Sequence, residues 1–124
     1  MTDQLRVLYV DDDSNTRDTV TDRVEGALAR CTVHTVTGCD AAIRFLDTTT
    51  VDCVVSEYDL PDETGLDLLS TVRERQPRLP FVLFTGDGNE SVASRAISAG
   101  VTDYVQRGTP DPYAALADSI ENAV

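Results

Sequence analysis

The sequence predicts an α/β fold, one open parallel five-stranded sheet with helices on both faces, and three observations lead there. Apolar runs near 5–10, 31–36, 51–56, 79–84 and 102–106 alternate with stretches of helical spacing through the whole chain. Such βαβα patterning belongs to a parallel sheet buried on both faces. Four of the runs break off into a polar, chemically useful residue: LRVLYV into Asp11 and Asp12, VVS into Glu57, FVLF into Thr85 and YVQ into Arg107. The length of 124 residues suits one domain, spanning 1–124, with room for a real core and none for a second.

Taken in order, the first strand passes into a helix whose apolar face is Val20, Val24, Ala27 and Leu28, following Ser14. Asp13 favours the N-terminus of that helix rather than a metal. The second strand carries Cys31 and the lone His34, a structural or edge-facing histidine. Thr37 with Asp40 three residues on suggests a capping box for the second helix. Cys53 lies in the third strand, and Asp62, Glu63 and Asp67 complement the dipole of the third helix and do nothing more. RERQPRLP is the turn into the fourth strand. TGDGNES is a βα loop, because it lacks the lysine and spacing of a phosphate-cradling loop. Gly100 ends the fourth helix as its C′ residue, and Asp111 then Pro112 opens the last as N-cap and N1.

Composition narrows the function. Asp and Glu total 22 against 10 Arg and no Lys, a net charge of −12. That field repels nucleic acid and anionic membranes, so direct contact with DNA is not expected. A lysine-free, strongly acidic surface points to a halophilic, haloarchaeal origin and to stability that needs salt, since screening shortens the range of self-repulsion to ~3 Å at 1 M. No apolar run approaches the ~20 residues of a membrane span, and the first strand starts too near Met1 for a signal peptide. A cytoplasmic location is expected. Three cysteines at 31, 39 and 53 have no metal-ligand spacing and suit a reducing compartment as packing residues.

In an open parallel sheet, ligands bind outside the carboxyl ends of the strands, which gathers Asp11, Asp12, Glu57, Thr85 and Arg107 into one crevice. Three carboxylates at close range raise at least one pKa unless a cation sits among them, and oxygen ligands suit Mg²⁺. Thr85 and Arg107 are the groups that would hold a phosphoryl anion. The plainer alternative is that Arg107 neutralises Glu57 and the site stays shut.

VDD at the first strand end, DCVVSEYDLPDETGLDLL, FVLFTG and AGVTDYVQRG, in that order, resemble the receiver domain of two-component response regulators over essentially the whole chain. The resemblance implies the flavodoxin-like sheet order 2-1-3-4-5. It implies transfer of a phosphoryl group from a histidine kinase to an aspartate, and a switch read through Thr85 and the strand-five aromatic Tyr104. Mg²⁺ would be held by the acidic pair Asp11 and Asp12, chiefly Asp12, by Glu57 and by a backbone carbonyl at Asp59. The partners would be a kinase and an output or effector protein, with a homodimer through the fourth helix, fifth strand and fifth helix as one possible assembly. That face comprises Val92 to Ala99, Tyr104 and Tyr113 to Ile120.

Three positions depart from the family pattern: Glu57 replaces the acceptor aspartate, Arg107 the lysine, and Gly108 the proline after it. One methylene moves the carboxylate by ~1.5 Å, and a displacement of ~1 Å can cost ~10²-fold in an in-line reaction. A phosphorylation-independent receiver is therefore expected, with Glu57 imitating the phosphorylated aspartate and reaching Thr85 and Arg107. It would be no enzyme, and would regulate transcription, if at all, through a separate or removed output module. A working phosphorelay receiver with an unusual acceptor is the alternative. Asp11-x-Asp13 also resembles the nucleophile motif of haloacid-dehalogenase-type phosphatases, but the lysine and later acidic pair of that group are missing. Flavin binding would need a phosphate loop that is not found.

Overall fold

The structure, a computed structural model, describes residues 4–86 and 90–124. Five strands, β1 (Leu5–Val10), β2 (Cys31–Val36), β3 (Cys53–Ser56), β4 (Phe81–Thr85) and β5 (Asp103–Gln106), alternate with five helices. These are α1 (Ser14–Ala27), α2 (Cys39–Thr48), α3 (Gly65–Arg75), α4 (Glu90–Ser98) and α5 (Pro112–Ala123). All strand pairs are parallel and the order is β2-β1-β3-β4-β5, the expected flavodoxin-like arrangement.

Side chains alternate across a strand, so each apolar run serves two cores. Val7 and Tyr9 join Val20, Val24, Phe84, Leu116 and Ile120 on the face covered by α1 and α5. Leu8 and Val10 join Leu46, Leu68, Leu69, Phe81, Leu83 and Ala96 on the face covered by α2, α3 and α4. With both faces closed, the middle strands read as unbroken apolar runs. Register levels their C-terminal ends: Val10 pairs with Ser56, Ser56 with Leu83, and Thr85 with Gln106.

Helix ends follow local chemistry except at the start of α2. The Asp13 carboxylate accepts from the Asn15 and Thr16 amides as N-cap of α1, and Asp111 caps α5 with Pro112 behind it. Gly100, at φ +91, closes α4 in a Schellman motif: its N–H reaches the Ile97 carbonyl, and that of Val101 reaches Ala96. The expected Thr37–Asp40 box does not form. Gly38 is the N-cap of α2 and gives no side-chain bond. The orphan amides of Cys39 and Asp40 are met instead by Asp62, at 3.0 and 3.1 Å, which corrects the assignment of that carboxylate to the dipole of α3. A capping box is present one element later, between Thr64 and Asp67 of α3. Ala27, expected on the buried face of α1, is exposed.

Candidate functional site

Level strand ends place the site. Asp11 follows β1, Glu57 follows β3, Thr85 ends β4, and Arg107 follows β5. The Glu57 N–H donates to the Val10 carbonyl and the Arg107 N–H to that of Thr85, so ladder bonds carry the alignment one residue past the strands. Asp11, Glu57 and Thr85 are buried, at 2 %, 5 % and 0 % exposure.

The loop after Glu57 is drawn in tightly. The Gly65 amide donates to the Tyr58 carbonyl, and a Cβ on Gly65 would stand 2.4 Å from the Glu57 carbonyl oxygen, so no larger residue fits without a backbone shift. The Glu57 carboxylate is thereby held against its own loop: Oε1 accepts the Tyr58 N–H at 2.6 Å and the Asp59 N–H at 3.4 Å. Its other oxygen, Oε2, lies 2.6 Å from Nη1 of Arg107. The same nitrogen donates to the Phe84 carbonyl at 3.3 Å, and the guanidinium sits 5.3 Å from the centre of the Phe84 ring. Burial, the largest single influence, works against the Arg107 cation, but the Glu57 carboxylate together with Tyr9 and Asp11 makes the net shift of its pKa upward.

Asp11 makes a second carboxylate centre. It accepts the Tyr9 hydroxyl at 2.6 Å through Oδ2 and the Asp13 amide at 2.9 Å through Oδ1, while Arg17 donates to its carbonyl at 3.0 Å. Burial raises its pKa, the two hydrogen bonds oppose that, and the charge of Glu57 adds to it. Burial and the adjoining carboxylate push the Tyr9 phenol well above its ordinary value. Tyr9 and Arg17 lay outside the sequence-based candidates. Tyr9 read only as a core aromatic, and nothing local marks Arg17.

The expected Mg²⁺ ligands lie around the Asp11 and Glu57 carboxylates. Asp12 and Asp59 are exposed, and among the described residues no cluster of three acidic, histidine or cysteine side chains is arranged to hold a metal ion. The oxygens of Asp11 and Glu57 are already engaged by a hydroxyl, backbone amides and a guanidinium, so the donor set as folded does not fit a hard divalent cation needing open oxygen ligands.

On β5, Tyr104 turns inward. Its ring packs against the core beneath α4, its hydroxyl is buried, and burial raises its pKa. On the expected output face, Leu116 and Ile120 are core residues, whereas Ile97 of α4 is 71 % exposed. His34 packs on Phe45 at 5.2 Å, in keeping with a structural role. The three thiols are buried, and burial pushes Cys31 up to about 11 and Cys39 and Cys53 up to about 12, which makes them poor nucleophiles. Of the TGDGNES loop, residues 87–89 lie outside those described. No described helix is long and apolar enough to cross a membrane.

Known proteins agree with this architecture. The family profile of the response regulator receiver domain matches residues 7–112. The C4-dicarboxylate transport transcriptional regulatory protein DctD of Pseudomonas aeruginosa is 34 % identical, with 98 % of this chain aligned to 25 % of that protein. The methanogenesis regulatory protein FilR1 of Methanothrix harundinacea is 31 % identical over 80 % of this chain and 23 % of its own length. This chain spans about a quarter of those two relatives and 58 % of the transcriptional regulatory protein FixJ of Bradyrhizobium diazoefficiens, to which it is 29 % identical over its full length. Among solved structures, a LuxR-family two-component response regulator from Aurantimonas superposes with a TM-score of 0.88 at 25 % identity, covering 97 % of this chain and 84 % of that one. The chemotaxis response regulator CheY4 of Vibrio cholerae gives 0.85 at 19 % identity, over 98 % of this chain and all of that one. With the profile covering most of the chain and the sheet in the expected order, the chain belongs to the response regulator receiver domain family of two-component signalling.

Proposed function

We propose that this receiver is held in one signalling condition by its own Glu57–Arg107 pair and passes no phosphoryl group. The observation that carries the reading is the 2.6 Å contact between a nearly buried glutamate and the arginine of the last strand end. A carboxylate on a longer stem reaches the cation that an acyl phosphate would otherwise engage, and it needs no kinase to do so. The inward Tyr104 accords with a surface already set. Its readers would be an effector protein, or an output module elsewhere in a longer chain, docking on α4, β5 and α5. A homodimer through the same face is a further outcome. Contact with DNA would fall to that partner, because a domain of net charge −12 is repelled by phosphates. The domain would act in the cytoplasm, as a regulator of transcription and without catalysis of its own.

Intact mass after exposure to acetyl phosphate and Mg²⁺ in molar KCl tests this, comparing the native chain with Glu57→Asp. The expected result is no adduct on the native chain and one phosphoryl group on the variant. One phosphoryl group on the native chain would overturn the reading in favour of a working relay with an unusual acceptor.

A further inference from the structure

Tyr58 immediately follows Glu57 and belongs to two assemblies at once. Its backbone N–H is the 2.6 Å donor to Glu57 Oε1, and its carbonyl accepts the Gly65 amide. Its side chain leaves that loop for α4: the hydroxyl accepts a hydrogen bond from Nη2 of Arg95 at 3.0 Å, and the Arg95 guanidinium lies 5.9 Å from the ring centre. The ring is half-buried against the core cluster that includes Val92, Ala96 and Tyr104. Arg95 is exposed in the last turn of α4.

We infer that Tyr58 and Arg95 are positioning residues that transmit the condition of the Glu57 carboxylate to α4. The inference rests on the reading that the Glu57–Arg107 pair sets the domain. When Oε1 holds the Tyr58 amide, the peptide plane after Glu57 is fixed. The direction of the Tyr58 side chain is fixed with it, as is the distance over which Arg95 can both stack and donate. Releasing the carboxylate frees that peptide, and the Arg95 contact is lost through geometry rather than charge. α4 is a helix of nine residues, short enough that a side-chain tie outside its own core contacts bears on its opening. Coupling of this kind is measured as non-additivity, so the test is a mutant cycle.

Amide hydrogen exchange across residues 90–98 is followed in the native chain, Glu57→Ala, which removes the acceptor of the Tyr58 amide, Arg95→Ala and the double variant, all in molar KCl. The Arg107 amide is followed as a local reporter of the pair. Arg95→Ala alters an exposed side chain, so folding is retained, and Arg95→Lys keeps the charge while losing the planar stack. Glu57→Ala alone and Arg95→Ala alone should each speed exchange in α4 by about fivefold, the scale of one exposed cation–π contact with its hydrogen bond. The double variant should be no faster than either, and Arg95→Lys should fall between native and Arg95→Ala. Multiplying factors in the double variant would refute the link, as would an α4 indifferent to Glu57→Ala while the Arg107 amide responds. Failure of the underlying reading shows elsewhere, as a phosphoryl group on the native chain by mass.

Discussion

Replacing Arg107 by Met keeps an apolar stem over Phe84 and removes the cation facing Glu57. The carboxylate left behind has 7 % of its side chain exposed, and it retains only the amides of Tyr58 and Asp59. Breaking one partner of a fully buried pair costs ~3–5 kcal/mol, because an uncompensated charge remains. The Arg107 side chain is 27 % exposed, so water can reach the vacated space, and ~2–3 kcal/mol is the better figure here. For a domain of this size that is about 8–12 °C in melting temperature. Adding Glu57→Gln to the same chain removes the stranded charge while its amide oxygen still accepts the Tyr58 N–H, so the double variant should recover to within ~1 kcal/mol of native. Urea unfolding at pH 7 in molar KCl, with all four corners of the cycle, measures this. If Arg107→Met costs less than ~0.5 kcal/mol, or the second change restores nothing, the pair is a surface contact and the proposed fixed switch loses its physical basis.

Three further predictions concern the surroundings of the pair. Asp11 has a folded pKa raised above the unfolded value, chiefly by burial, so its contribution to stability is complete below the ordinary aspartate range and is lost as pH rises through the folded pKa. Asp11→Asn should therefore unfold at a higher temperature than native at pH 7 and show no such gain near pH 3; a lower melting temperature at neutral pH would contradict this. Asp62→Ala strips two amide bonds from the start of α2 and should cost ~1 kcal/mol by denaturant unfolding, whereas Asp40→Ala should cost a few tenths at most. A net charge of −12 carried without lysine should make the melting temperature rise between dilute buffer and molar KCl, and an unchanged value would remove the case for salt dependence.

What could be read in the sequence divides along a physical line. Strands β1 and β2 begin and end where their apolar runs do, because those residues both pair and pack. β3 and β4 start two residues later than expected. Val51 and Leu79 are buried in the core, at 6 % and 7 % exposure, before their segments enter a ladder, and apolarity reports burial rather than pairing. Capping shows the same division. Asp13, Gly100 and Asp111 act within a few residues of themselves and were legible. Asp62 acts on α2 from 23 positions away, where no local pattern could reveal it. Asp11, Glu57, Thr85 and Arg107 were found because each ends or follows a strand. Tyr9, Arg17, Tyr58 and Arg95 were missed because each enters the site or its margin from an element read for another purpose.

Glu57 and Arg107 at the centre of the site depend on each other. A glutamate alone would carry its charge ~1.5 Å further from the strand than an aspartate, into a space bounded by the buried Asp11 carboxylate, and like charges there oppose folding. An arginine alone, facing a shorter acid, would have to give up its bond to the Phe84 carbonyl or its position over the Phe84 ring to close the gap. With both present, the longer acid keeps the Tyr58 amide on one oxygen and meets the guanidinium with the other, and the guanidinium keeps its carbonyl and its ring. Each of those contacts uses a lone pair or a donor that a divalent cation or an acyl phosphate would have required. On the proposed reading, the geometry that neutralises the site also closes it to a kinase, and signalling control would act on which partner meets the α4 face.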